Sequence, residues 1–254
     1  MKKNVLITIC GRAGSKGCKN KNIKDFLGKP LVYYTLSAAF LFVDQVKDIA
    51  MVDVCLNTDS EDLKEIVLSK YPEVHYIARE KSLGEDSVPK AAVWHNSVDI
   101  MSERLNRTYD YIIDLDITSP LRRNNDIYNA FKKKLERVDA DMVESVCHCR
   151  RNPYFNMYKE DGQYVSTVID SGLTTRQSAP NVYDENASIY VLDVKFFHNN
   201  NKNMLNEAKT VVYIMKDTAV LDIDSEEDFE LMGVVAAYLY EKDEQFKIIQ
   251  QSIR

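Results

Sequence analysis

The sequence has no long apolar run. No stretch of its 254 residues approaches the ~18–20 consecutive apolar residues that a membrane-spanning helix needs. The apolar run near its start, Val5–Cys10, is short, and a glycine and basic side chains follow at once. We therefore do not interpret it as a signal peptide, and we expect no membrane partner.

Cysteines are few, with five in the whole chain, an odd number scattered over its length. This pattern is typical of reduced thiols and not of a disulfide framework, so we expect a cytoplasmic protein. The tripeptide Cys147–Cys149 has two cysteines and a histidine, but no second ligand pair lies near it in the sequence. The end of a strand is the favoured interpretation, with a zinc site as the weaker alternative.

The charge is of the wrong sign for a general nucleic-acid-binding protein, because the formal net charge is −6. Histidine is also scarce: the four histidines lie outside every motif described below and offer no convincing general base. Hydrophobic residues at 45% and charged residues at 28% are typical of an ordinary globular chain, long enough for one large α/β domain.

Apolar strand-like runs alternate with segments of helical periodicity through most of the chain. This rhythm predicts an α/β fold with a mostly parallel twisted sheet flanked by helices. It breaks at about residues 150–184, where short alternating pieces surround the turn signal Asp161–Gly162. We therefore predict a single domain over residues 1–254 that carries a small hairpin-containing insertion at about 150–184.

A basic, glycine-rich segment directly follows the first predicted strand. Between Gly11 and Lys29 it contains Arg12, Lys16, Lys19, Lys21, Lys24 and Lys29, against the single acid Asp25. Glycines at this place allow a backbone to approach phosphate closely, so we expect a multiply charged small ligand. A solvated basic face is the alternative. The glycine spacing matches neither the P-loop nor the dinucleotide fingerprint.

Two aspartates stand near the end of the chain, before the last predicted helix. Asp222 and Asp224 are two residues apart at the end of a segment that we predict to be a strand. Side chains at i and i+2 of a strand point to the same side, so the carboxylates would converge as a Mg²⁺ site requires. Capping of the following helix is the alternative. A basic phosphate loop together with such a pair indicates a nucleotidyltransferase.

Several motifs, in order along nearly the whole chain, resemble those of the CMP-sialic acid synthetase (acylneuraminate cytidylyltransferase) family. The matching residues are Arg12, Ser15, Lys16, Gly17, Lys21, Asn22, Ile23, Gly28–Leu31, Thr118–Arg122, Arg176, Gln177, Pro180, Asn186–Tyr190 and Asp222–Asp224. The resemblance implies a Rossmann-like nucleotidyltransferase that transfers CMP from CTP to the anomeric hydroxyl of a nine-carbon α-keto acid sugar and releases pyrophosphate.

The resemblance also implies roles for individual residues in binding CTP. The residues expected to contact CTP are Arg12, Ser15, Lys16, Lys21, Asn22, Arg79, Asp86 and Ser87. Among them, Arg12, Lys16 and Lys21 would act in catalysis with Asp222 and Asp224, which would bind Mg²⁺ as the cofactor. Arg79 would read the base.

A second group of residues is expected to contact the sugar. It comprises Asp116, Thr118, Ser119, Arg176, Gln177 and Tyr190. By the same resemblance the insertion is a dimerisation subdomain, and Arg176 would reach the site of the neighbouring subunit in a homodimer to meet the sugar carboxylate.

One departure from the family pattern concerns the type of sugar. Members that act on N-acetylneuraminate carry glutamine and proline where this chain has Asp116 and Ile117. A carboxylate only accepts hydrogen bonds, whereas an amide also donates them, so the sugar face is expected to differ. The sequence is more similar to members that activate legionaminate. Asp116 would accept from a sugar amide, or alternatively support its loop or the metal site.

Two alternatives to this function remain. One is a related nucleotidyltransferase for another keto-acid sugar or a sugar phosphate, which the Arg176–Pro180 motif disfavours. The other is a non-catalytic nucleotide-binding protein, which the retained Asp222 and Asp224 disfavour.

Overall fold

A computed structural model describes residues 2–14, 17–85, 88–199 and 207–254. Within these residues the strands are β1 (Lys3–Gly11), β2 (Asp25–Phe26), β3 (Lys29–Pro30), β4 (Ala50–Thr58), β5 (His75–Ala78), β6 (Tyr111–Leu115), β7 (Met142–His148), β8 (Tyr158–Asp161), β9 (Tyr164–Thr167), β10 (Tyr183–Asp193) and β11 (Thr210–Ile214). The α-helices are α1 (Leu31–Val46), α2 (Glu61–Lys70), α3 (Lys90–Leu105), α4 (Asp126–Glu136), α5 (Val194–Asn199), α6 (Glu226–Lys242) and α7 (Glu244–Gln251). None of these helices is long and apolar enough to cross a membrane.

The main sheet confirms the predicted mostly parallel α/β fold. Its seven strands lie in the order β11–β7–β10–β6–β1–β4–β5. Strand β10 runs antiparallel to β6 and β7, whereas the other neighbouring pairs are parallel. Because β1, β4 and β6 are parallel neighbours, their carboxyl ends at Gly11, Thr58 and Leu115 lie at one edge of the sheet, where ligands bind in such folds.

Successive side chains of the buried strands alternate between the two faces of the sheet, and each face is covered by a hydrophobic core. In β1, Val5, Ile7 and Ile9 belong to the larger core, whereas Leu6 belongs to the smaller one. Helices α1, α2, α4, α6 and α7 contribute to the larger core, and α3 covers the smaller. Side chains on successive strand residues point to opposite faces, so a strand covered on both sides is apolar throughout.

Side-chain caps set the starts of two helices. The Ser60 hydroxyl accepts a hydrogen bond from the Leu63 amide at 3.2 Å, which caps α2. At the start of α6, Ser225 and Asp228 form a reciprocal capping box. The last two helices are separated at Asp243, whose side chain caps α7.

The expectation that Asp222 and Asp224 end a strand is wrong. The preceding strand, β11, ends at Ile214 and is followed by a 3₁₀ helix, Asp217–Val220. Both aspartates lie in the irregular segment between that helix and α6. The helix-capping alternative is also excluded as their main role, since Ser225 and Asp228 provide the cap.

The segment at about 150–184 contains the hairpin that the sequence predicts. Strands β8 and β9 pair antiparallel around Asp161 and Gly162, and Gly162 adopts φ = 64°. The hairpin exposes large side chains, with Tyr164 at 74% and Val165 at 63% exposure.

Candidate active site

A cleft of about 350 Å³ opens at the carboxyl edge of the sheet. Its walls come from three places: the basic segment after β1, the segment after β6, and the irregular segment before α6. The lining residues are Cys10, Gly11, Arg12, Gly17, Cys18, Lys21, Asn22, Asp116, Thr118, Asp222 and Asp224. The predicted phosphate loop and the aspartate pair therefore face each other in one cleft.

Lys21 and Gly17 join the basic segment to the aspartates. The Lys21 ammonium donates to the Ile223 carbonyl oxygen at 2.5 Å and lies 3.5 Å from the Asp224 carboxylate. A β carbon at Gly17 would lie 1.9 Å from the Asp224 carbonyl oxygen. Only a glycine allows the two backbones to approach so closely. Lys24 and Glu226 form a further ion pair between the same two segments.

The start of the basic segment is held by groups outside it. The Ala13 amide donates to Asp59 Oδ1 at 2.7 Å, and the Arg12 guanidinium contacts the Gly84 carbonyl at 3.4 Å. Gly14 has φ = 75°, a conformation that favours glycine. Asp59 thus fixes the segment directly after β1, a role that is missed by motif reasoning because the residue belongs to another strand end.

Asp222 is half-buried and close to other carboxylates. Burial raises its pKa, a hydrogen bond with Thr118 lowers it, and the charge of Asp116 raises it further. The net pKa lies above the ordinary value for aspartate, so the ionised form is disfavoured in the protein alone. A cation between Asp222 and Asp224 would relieve that cost.

The donor set fits Mg²⁺ that is shared with a substrate. Among the described residues, no group of three or more His, Cys, Asp or Glu side chains is arranged to hold a metal ion. Mg²⁺ is commonly bound by one or two carboxylates together with substrate phosphates and waters. Asp222 and Asp224 match that description, because both line the cleft beside the basic segment.

The Asp116 carboxylate accepts hydrogen bonds from other residues of the same chain. Its Oδ2 accepts from the Lys90 ammonium at 2.9 Å, and its Oδ1 accepts from the amide and hydroxyl of Thr118 at 3.1 and 2.9 Å. Burial alone would raise the pKa of this carboxyl, but the charge of Lys90 and these hydrogen bonds hold it well below its usual range. The geometry therefore shows that Asp116 supports its loop, while its expected contact with the sugar stays a prediction.

Arg79 lies in a smaller pocket that adjoins the cleft. This pocket of about 230 Å³ shares Cys10 and Arg12 with the cleft and is also lined by Lys90. The Arg79 guanidinium donates to the Asn57 side-chain and main-chain oxygens at 2.9 and 2.8 Å. Its position next to the basic segment is compatible with the expected contact to a base.

The residues expected to bind the sugar fall into three places. Thr118 lines the cleft, and the Ser119 hydroxyl beneath it donates to the Asn186 carbonyl at 3.2 Å. Tyr190 is only 3% exposed, and its hydroxyl donates to Glu185 at 2.5 Å. Arg176 lies in the insertion, where it lines a different pocket with His148 and Cys149. Gln177 follows it in a short 3₁₀ helix.

Four predicted site residues, Ser15, Lys16, Asp86 and Ser87, lie outside the described residues. Conversely, sequence reasoning missed Lys90, which stands between the cleft and the smaller pocket. The sequence places Lys90 directly after Pro89, at the start of a predicted helix. Its two partners, Asp114 and Asp116, lie 24 and 26 residues further along the chain, so sequence reasoning did not connect them with Lys90.

An α/β sheet with a basic segment and paired carboxylates across one cleft at its carboxyl edge defines a nucleotidyltransferase type of site. A family model described as Cytidylyltransferase matches residues 6–248. The chain therefore belongs to the cytidylyltransferase family.

Relatives agree with this assignment, and a solved structure agrees with the fold. The chain is 34% identical over 230 residues to post-translational flagellin modification protein B of Campylobacter coli, covering 90% of this chain and 93% of the relative. It is 31% identical over 228 residues to CMP-N,N'-diacetyllegionaminic acid synthase of Campylobacter jejuni, with the same coverage. The structure of CMP:2-keto-3-deoxy-manno-octonic acid synthetase complexed with CTP matches with a TM-score of 0.65 and 14% identity, covering 93% of this chain and 99% of that one.

Proposed function

We propose that this enzyme transfers CMP from CTP to the C2 hydroxyl of a nine-carbon α-keto acid sugar, with release of pyrophosphate. The observation that carries the proposal is the cleft in which Arg12 and Lys21 face Asp222 and Asp224. Cations and metal-binding carboxylates on opposite walls match a metal-bound triphosphate better than a singly charged ligand. Family membership supports CTP as the nucleotide, and a reaction that consumes CTP is expected in the cytoplasm.

The chemistry requires positioning more than covalent participation by the protein. The sugar hydroxyl oxygen forms a bond to the α-phosphorus as the bond from that phosphorus to the pyrophosphate oxygen breaks, and the hydroxyl proton is released. Arg12 and Lys21 would hold the phosphates and stabilise the charge that develops on the leaving pyrophosphate. Bound Mg²⁺, held by Asp222 and Asp224, would supply further charge neutralisation at the phosphates.

The acceptor that we propose is of the legionaminic acid type. Support comes from the similarity to CMP-N,N'-diacetyllegionaminic acid synthase. Further support is the difference in residue type at position 116, where this chain has aspartate and N-acetylneuraminate enzymes carry glutamine. Because Lys90 and Thr118 occupy the Asp116 carboxylate, we infer that it acts on the sugar mainly by fixing the shape of the loop.

We further propose that the enzyme is a homodimer formed through the inserted segment. The hairpin exposes Tyr158 and Val165, which the strand register places on the same face, and neighbouring exposed apolar groups can mark interaction surfaces. In such a dimer Arg176 would reach the neighbouring cleft and meet the sugar carboxylate.

The test is a pyrophosphate-release assay with purified enzyme, CTP and Mg²⁺. The acceptors are N,N'-diacetyllegionaminic, pseudaminic and N-acetylneuraminic acids, an eight-carbon keto-acid sugar, and a sugar phosphate. We expect the highest kcat/KM with the legionaminic acid. Release with the eight-carbon acid or the sugar phosphate alone would favour the alternative nucleotidyltransferase. CTP binding without release for any acceptor would favour a non-catalytic protein.

A further inference from the structure

Lys90 forms a bridge between two aspartates at the end of β6. Its ammonium lies 3.2 Å from Asp114 Oδ2 and 2.9 Å from Asp116 Oδ2. Asp114 is within β6, and Asp116 follows its last residue, so the two carboxylates project toward the same side. Lys90 itself is the first residue of α3, which packs over that face of the sheet.

The two carboxylates differ in their surroundings. Asp114 is 1% exposed, and its other oxygen accepts from the Thr8 hydroxyl at 2.7 Å. Asp116 lines the cleft. A buried carboxylate is costly without a partner of opposite charge, so Lys90 stabilises Asp114. Neutralising Asp114 is the simplest structural role for Lys90, and any functional role has to be separated from it.

The contacts of Asp116 continue toward the cleft. The carboxylate held by Lys90 accepts hydrogen bonds from the amide and hydroxyl of Thr118. The Arg122 guanidinium binds the Asp116 carbonyl oxygen and also donates to the Ser188 carbonyl at 2.9 Å. Lys90 therefore fixes the side chain, and Arg122 the main chain, of the residue that begins this wall of the cleft.

Lys90 also contacts a second residue expected to bind the sugar. Its ammonium lies 4.9 Å from the centroid of the Tyr190 ring, within the range of a cation–π interaction. Strand pairing places Tyr190 directly opposite Asp114. One ammonium thus holds together Asp114, Asp116 and Tyr190, which come from two neighbouring strands.

We propose that Lys90 is a positioning residue for the acceptor sugar, because it sets the orientation of Asp116 and through it the place of Thr118. The inference rests on the proposed function and adds a residue to it. Loss of Lys90 leaves two carboxylates close together without their shared cation, so Asp116 and the Thr118 turn move. A misplacement of about 1 Å costs on the order of 100-fold in rate.

The experiment compares Lys90→Met, Lys90→Arg, Asp114→Asn and the double variant Lys90→Met/Asp114→Asn. In the double variant Asp114 no longer carries a charge that needs a partner, so the stabilising role of Lys90 toward Asp114 is removed from the comparison. The measurements are Tm, CTP affinity by calorimetry, and kcat and KM for the acid that wild type uses best.

We expect the double variant to fold with a Tm below that of Asp114→Asn, because Asp116 loses the partner of its charge, and to bind CTP within about twofold of Asp114→Asn. Its kcat/KM for the acid should still be about 10–100-fold lower than that of Asp114→Asn. Lys90→Arg, which keeps the charge, should recover part of the loss in Lys90→Met. If the double variant matches Asp114→Asn in kcat/KM, or if only CTP affinity falls, the positioning role is overturned.

Failure of the proposed function would give results different from those that overturn the role of Lys90 alone. A wild-type enzyme that binds CTP but releases no pyrophosphate with any acid overturns the proposed function, and this inference with it. Active wild type with equal kcat/KM for the double variant and Asp114→Asn overturns the role of Lys90 alone. Should Lys90→Met fail to fold, the double variant still supplies the deciding comparison.

Discussion

Gly17 meets the Asp224 main chain so closely that a β carbon at position 17 would lie 1.9 Å from the Asp224 carbonyl oxygen. The contact joins two segments that are more than two hundred residues apart in the chain. It is reinforced by Lys21, whose ammonium donates to the neighbouring Ile223 carbonyl. The distance between the basic wall and the aspartate wall of the cleft is therefore set by main-chain contact, which leaves little freedom for either wall to move.

Gly17→Ala should widen this contact and weaken binding of the metal–nucleotide pair. The added methyl group meets main-chain atoms, which cannot rotate away as a side chain can, so one wall must shift. We expect the KM for CTP to rise about tenfold or more, as measured by initial rates at saturating Mg²⁺. The matched control is Gly233→Ala within α6, where a β carbon would meet nothing within 4 Å. It should leave KM unchanged and should not lower the Tm.

Asp222→Asn should abolish most turnover without destabilising the protein. Burial raises the pKa of Asp222 above its ordinary value, so its charge opposes folding at neutral pH when no cation is bound. We expect turnover with Mg²⁺ to fall about 100-fold or more, while the metal-free Tm stays the same or rises. Assays over a Mg²⁺ series and thermal melts in EDTA measure both.

The control for this prediction is Asp48→Asn, which removes an exposed carboxylate elsewhere on the surface. Asp48→Asn should change neither the turnover with Mg²⁺ nor the metal-free Tm. Near wild-type turnover of Asp222→Asn at all Mg²⁺ concentrations would contradict the metal assignment.

The parts of the site that follow from local signals could be predicted from the sequence. The glycine-rich basic segment lies where an apolar strand ends, and parallel strands bring such ends to one edge. The proximity of Asp222 and Asp224 to this segment was expected from chemistry, although the supposed strand was wrong. Apolar residues on either side of Asp222, Leu221 and Ile223, did not distinguish a strand from an irregular segment packed on the core.

The ion pairs of the site could not be predicted, because they depend on which strands become neighbours. Lys90 is one basic residue among many in the sequence, and only the packing of α3 over β6 brings it to Asp114 and Asp116. The same is true of Asp59, which reaches the Ala13 amide from the end of β4. Asp116 was assigned to the sugar from the family resemblance and its residue type, and its internal partners become apparent only in three dimensions.

Asp116→Asn should reduce stability at neutral pH and lose that effect in acid. The folded-state pKa of Asp116 is lowered by Lys90, against the effect of burial. Its contribution is therefore fully present above the unfolded-state pKa of about 3.9 and is lost progressively as the pH falls from there through the lower folded-state pKa. We expect the variant to be less stable by about 3 kcal/mol at pH 7, with a smaller difference at pH 3.

Urea unfolding at pH 7, 5, 4 and 3 measures this difference. Asp139→Asn is the control, because Asp139 pairs with Arg137 on the exposed surface, where solvent screens the pair. The control should show little change at any pH. A loss of stability in Asp116→Asn that is independent of pH would contradict the pairing of an ionised Asp116 with Lys90.

Val165→Asp should dissociate the proposed dimer, because it replaces an exposed apolar side chain of the hairpin with a second charge directly opposite Glu160. Val165 is 63% exposed in the single chain, so the substitution has little to disturb within the subunit and its Tm should change little at low protein concentration. Sedimentation velocity should show a shift from dimer to monomer. Turnover should fall with it, since each cleft would lack Arg176 of the neighbouring subunit.

Val138→Asp is the matched control: the same residue type, 83% exposed, outside the insertion. It should remain dimeric and active. Mixing two inactive variants, Arg176→Ala and Asp222→Asn, separates a shared site from simple dimerisation. After subunit exchange, one cleft of each mixed dimer would carry an intact Asp222 and an intact neighbouring Arg176, so part of the activity should return. Dimers that gain no activity on mixing would show that Arg176 serves its own subunit or none.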